Sequence, residues 1–101
     1  MTDVKTFDGF LSALNNEVEG AKLLVGDAEA FLRATKSIER LLSEDWPAIE
    51  QNLRAEGVRP DDRQRLLDLL ASITALETKT RARLVWAEDF EAHLRQAMER
   101  S

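Results

Sequence analysis

The stretch FDGFLSALNNEVEGAKLLVGDAEAFLRATKSIERLL, residues 7–42, decides how this chain reads. Its apolar residues fall at Phe7, Phe10, Leu11, Leu14, Val18, Ala21, Leu24, Val25, Ala28, Phe31, Leu32, Ile38 and Leu42, in steps of three and four. That spacing gathers them on one side of an α-helix, and no run sustains the alternation of a half-buried strand. At about 100° per residue the stripe drifts slowly backwards. A seam of period 3.5 does the same, which predicts a left-handed supercoil against a second helix. Gly20 and Gly26 weaken the middle by about 1 kcal/mol each relative to alanine. A break at Gly26-Asp27 stays open, because Asp27 can cap a second piece.

Working outward, Ser43-Glu44-Asp45-Trp46-Pro47 is the first punctuation. Pro47 disfavours helix at Trp46 and clashes with the carbonyl four residues back, so the first helix is predicted over about 4–42. Proline is tolerated in a first turn, so a short helix follows over about 46–56. Gly57 fits a left-handed C′ position, with Val58 placed to touch Leu53 in a Schellman closure. Pro60-Asp61-Asp62 opens the last helix, its two acids meeting the positive end of the macrodipole. The stripe Leu66, Leu69, Leu70, Ile73, Leu76, Thr80, Leu84, Ala87, Leu94 and Met98 carries that helix to about 99, with no Gly or Pro inside. Forty helical residues span about 60 Å. The expected architecture is all-α, one domain over 1–101: a long antiparallel helical hairpin with a short intervening helix, as a three-helix bundle or coiled-coil-like pair.

Composition narrows the function classes. The chain has 101 residues, 44% hydrophobic and 33% charged, enough apolar content for a core. It contains no cysteine, which excludes disulfides and thiolate metal sites. The net charge of −5 opposes long-range attraction to nucleic acid or an anionic membrane. No apolar run approaches the roughly 18–20 residues of a membrane span. Met1-Thr2-Asp3-Val4-Lys5 lacks the basic and apolar regions of a signal peptide, so the cytoplasm is the expected location.

Residues for chemistry are sparse. His93 is the one histidine, and tyrosine is absent. Gly9, Gly20, Gly26 and Gly57 are too scattered to cradle a phosphate. A di-metal bundle needs paired Glu-x-x-His motifs, which do not recur around Glu88, Asp89, Glu91 and His93. Asp61-Asp62 has the form of an acid–base pair, yet helix-start electrostatics accounts for it. Arg63-Gln64-Arg65 and the run Lys79 to Arg83 read as a solvated face balanced by carboxylates such as Glu17, Glu19 and Glu29. No catalytic residue, metal or cofactor is expected, and the chain reads as a non-enzyme.

The informative residues are apolar ones outside the core stripe. In a straight last helix, Trp86 points about 120° away from Leu66, Ile73, Leu84 and Met98, with Phe90 one turn later and Ala97 beyond it. Val85, Trp86, Phe90, His93, Leu94 and Ala97 form the candidate partner-binding surface, because Trp and Phe in an exposed patch are typical interface anchors. Cover by the chain itself is the competing reading. The short helix is tied about 40 Å from Trp86 in that geometry, but the segment with Phe7 and Phe10 reaches the right end. Leu23 would face outward from a continuous first helix. The expected partner is an amphipathic helix of another protein, with a homodimer as the alternative.

Two stretches carry a family resemblance. Gly26-Asp27, followed by a helix with Lys36 inside and Leu41-Leu42 at its end, resembles the flagellar type III export chaperones of the FlgN kind. Asp45-Trp46, opening the second helix, resembles those of the FliT kind. The resemblance implies a cytoplasmic chaperone that binds the amphipathic C-terminal helix of an unassembled flagellar axial subunit, or another secreted client. It would prevent premature polymerisation and deliver the client to the export gate. Capture would be by apolar burial, with no nucleotide or metal. The alternative is a self-associating structural or regulatory helical bundle.

Overall fold

A computed structural model describes residues 6–99. The helix start expected near residue 4, and the Met1–Lys5 segment read for a leader, lie outside them. The described chain is all-helical, as the periodicity predicts, with 86% of its residues in helix and no strand. Five helices follow in order: α1 (Phe7–Leu23), α2 (Ala28–Glu44), α3 (Trp46–Glu56), α4 (Pro60–Thr80) and α5 (Val85–Glu99).

The first long helix is therefore two. Leu24 N–H donates to the Ala21 carbonyl and Asp27 N–H to the Leu24 carbonyl, which closes a turn over 24–27. Asp27 then caps α2, its Oδ1 accepting the Ala30 N–H at 3.1 Å. Thr6 does the same for α1, taking the Gly9 N–H at 3.0 Å. A single residue, Asp45, separates α2 from α3, and Pro47 sits in the first turn of α3 where its missing N–H costs nothing. Gly57 ends α3 with φ 84° and ψ 160°. That conformation is almost confined to glycine, but it is extended in ψ and is not the left-handed Schellman position expected there.

The Schellman closure occurs instead at Arg81. Its φ of 59° and ψ of 33° are left-handed, the Arg81 N–H donates to the Thr78 carbonyl, and the Ala82 N–H reaches back to the Glu77 carbonyl. Glu77 holds the corner together. Its side chain accepts the Leu84 N–H at 2.8 Å and faces Arg83 at 3.8 Å, while its carbonyl accepts the Thr80 hydroxyl. The continuous helix expected over 60–99 is thus broken without glycine or proline.

These two breaks overturn the long hairpin. The described fold measures 40 × 28 × 20 Å, too short for a 60 Å helix. α1 packs on α2 and α4, α3 on α2 and α5, and α5 also meets α4 and α2. Phe10, Leu14, Val18, Ile38, Leu66, Leu76 and Leu94 are fully enclosed in a continuous apolar core.

Polar ties fasten α1 to α4 along their edge. Lys22 Nζ donates to Ser72 Oγ at 2.9 Å and Ser72 Oγ donates to Glu19 Oε1 at 2.7 Å. Arg65 binds Asp8 and stacks 5.5 Å from the Phe7 ring centre. The Arg65 hydrogen bond, then its charge, lowers the Asp8 carboxyl below the usual range. Glu19 is lowered by its hydrogen bonds from Ser72 and then Lys22.

Two outcomes follow for stability. Glu77→Ala leaves the Leu84 N–H without an acceptor and should cost about 1–3 kcal/mol, whereas Arg81→Gly relieves the left-handed residue and should gain about 0.5–1 kcal/mol, both read from urea midpoints. Because Asp8 and Glu19 titrate lower when folded, their contribution is present above ordinary carboxylate pKa values, about 4, and is lost as pH falls through the lowered ones. Urea midpoints taken from pH 6 down to pH 3 should fall, and Arg65→Gln should flatten part of that decline.

Candidate functional site

The expected site residues do not form an exposed patch. Trp86 is 8% exposed, Phe90 2%, and Leu94 and Ala97 are fully buried. Val85 alone among the apolar ones stands out, at 75%. The cause is the Arg81 corner. It turns α5 back beside α3, so the aromatic flank that a straight helix would leave bare meets Trp46 instead. The Phe90 ring lies edge-on to Trp46 with centroids 4.9 Å apart, and Phe10 packs on the same indole at 5.6 Å. Cover thus comes from α3, through a residue that the straight-helix geometry placed far away, with Phe10 of the N-terminal segment supporting it.

His93 is half-exposed, and its Nδ1 lies 3.1 Å from Glu50 Oε2. An ionised carboxylate only accepts, so this contact places a proton on Nδ1. The same Glu50 oxygen takes the Trp46 indole N–H at 3.2 Å, and its partner oxygen faces Arg54 at 3.5 Å. Glu50 therefore ties α5 to α3 through His93. Asp61 and Asp62 part company as well. Asp62 is buried between Arg59, at 3.1 Å, and Arg65, at 3.7 Å, while Asp61 is exposed. Within the basic runs, Arg63 donates to the Met98 carbonyl at 2.9 Å and Arg83 pairs with Glu88 at 3.0 Å. Among the described residues no cluster of His, Asp or Glu could hold a metal ion, and no helix is long and apolar enough to cross a membrane.

What remains open lies between α2 and α5. α2 buries only Thr35 and Ile38 fully, the Thr35 hydroxyl being satisfied by the Leu32 carbonyl at 2.9 Å. Beside that buried edge, Leu32 is 55% exposed and Ala28 is exposed, with Val25 and Phe31 half-buried. They share a cavity with Leu84, Val85 and Trp86. A second cavity of about 350 Å³ continues from it, lined by Leu42, Trp46, Pro47, Trp86, Phe90 and His93, with Glu39 and Trp86 common to both. The two helices run the same way along this groove. Along α2 the lining runs from Ala28 to Ser43, about 22 Å, and along α5 from Val85 to His93, about 12 Å. Trp86 forms the wall where the cavities join, and its indole Nε1 is buried with no hydrogen-bond partner.

Comparison with family models, curated proteins and solved structures gives no match for this chain. The site therefore stands on geometry. The sequence reading named Val85 and Trp86, which line this cavity, but placed Phe31 and Leu32 in the zippered seam and did not weigh Glu39. The signal available was Asp27, whose capping of a separate α2 frees that helix to turn its Leu32 edge outward.

Since Trp86 and Phe90 are core as well as wall, truncation must damage the fold. Trp86→Ala and Phe90→Ala should each cost about 3–5 kcal/mol, read as loss of cooperative thermal melting or a large fall in midpoint.

Proposed function

We propose that the protein is a non-enzymatic binding module, a chaperone or adaptor that captures an amphipathic helix of a client protein in the α2–α5 groove. One observation carries this reading. Leu32 of α2 and Val85 of α5 stand exposed and line one cavity together with Phe31, Leu84 and Trp86. Exposed apolar surface of that shape is the form of helix-in-groove recognition, in which residues at i, i+3, i+4 and i+7 of the guest supply the anchors. The flagellar-export form of the reading, with an axial subunit's C-terminal helix as client, rests on the resemblance of Gly26-Asp27 and Asp45-Trp46 and their flanking helices. Self-association is the second reading, favoured by Leu23, which is 84% exposed outside the groove at the end of α1.

Leu32→Asp with Val85→Asp is the test, because both side chains are outside the core. Thermal stability should stay within about 0.5 kcal/mol of the parent. Affinity for amphipathic helical peptides, measured by calorimetry, should fall at least about tenfold. A parent protein that light scattering shows to be a dimer, dissociated by Leu23→Asp and indifferent to peptides, would favour self-association instead.

A further inference from the structure

The groove's charge identifies its guest further. Glu39, Glu50 and Asp89 line the cavity that also holds Trp46 and Trp86. Glu50 is satisfied by Trp46, His93 and Arg54. Glu39 and Asp89 are not: neither takes part in an ion pair among the described residues. They come from different helices, α2 and α5, and both line this cavity. Two exposed carboxylates without a cation partner give this cavity a negative local charge, which a cation seated near both complements.

We infer that the groove selects a cationic amphipathic helix, one whose apolar anchors are followed by a Lys or Arg seated at the Trp46–Trp86 end. The long aliphatic stem of such a residue covers the indoles while its head reaches Glu39 and Asp89, a combination neither an acidic nor a wholly apolar guest supplies. The chain's net charge of −5 acts in the same sense at long range, steering a basic partner inward. This inference rests on the helix-capture reading and adds the guest's charge to it.

The experiment is selection from a displayed library of 20-residue helices with a fixed Leu/Ile/Phe face and randomised flanks, on the parent protein, followed by binding of the chosen peptides to E39Q/D89N. Lys or Arg should be enriched on a flank of the apolar face. Those peptides should lose about tenfold in affinity on E39Q/D89N and weaken with added salt, and binding should move the Trp86 indole resonance. Selected helices with neutral or acidic flanks, or cationic ones that bind E39Q/D89N within about twofold of the parent, would overturn the charge assignment while leaving helix capture standing. Failure to select any helix that Leu32→Asp with Val85→Asp weakens would overturn both. A parent dimer whose interface excludes the peptides would make a second copy the occupant, and overturn it too.

Discussion

The indole of Trp46 is the contact on which the rest of the molecule depends. It begins α3, receives Phe10 from α1 on one side and the edge of Phe90 from α5 on the other, and hands its N–H to Glu50. Three helices distant in sequence are brought together by one large apolar plate with one polar handle, the combination that suits tryptophan to an interior junction. Glu50 then fixes the orientation by taking His93 from α5 as well. This junction is the aromatic part of the surface onto which α5 folds back, beside its contacts with α2 and α4.

That dependence explains which parts of the fold were legible. Pro47, Gly57 and Pro60 act locally, through a missing N–H or an allowed backbone conformation, so the limits of α3 and the start of α4 could be read from residue types alone. Asp27 was readable as a cap but not as a certainty, because a side chain that can cap need not be asked to. Arg81 was illegible. An arginine has no local reason to turn left-handed, and the corner it makes is sustained by Glu77 and by the burial of α5 against α3. A stripe of apolar residues reports which side of a helix is buried, never whether the helix continues.

The same error shaped the site. With α5 straight, Trp86 and Phe90 stood in solvent as binding anchors; with α5 folded back, they are the floor and wall of something narrower. The proposed binding surface lies one layer further out, on the exposed Leu32 and Val85 and the carboxylates of Glu39 and Asp89. Val85 and Trp86 line the cavity, while Leu94 and Ala97 belong wholly to the core. α2 is the helix that makes this possible, since it is amphipathic yet fully buries only two of its side chains.

One consequence lies in the two contacts made by the first turns of α4. Arg65 holds Asp8, near the beginning of α1, and Arg63 holds the Met98 carbonyl, near the end of α5. The two extremities of the described chain therefore emerge at a common pole. A brief peptide tether could join them into a ring, and fresh ends could be opened in the turn over 24–27 without crossing the core, giving circular permutants of the same architecture.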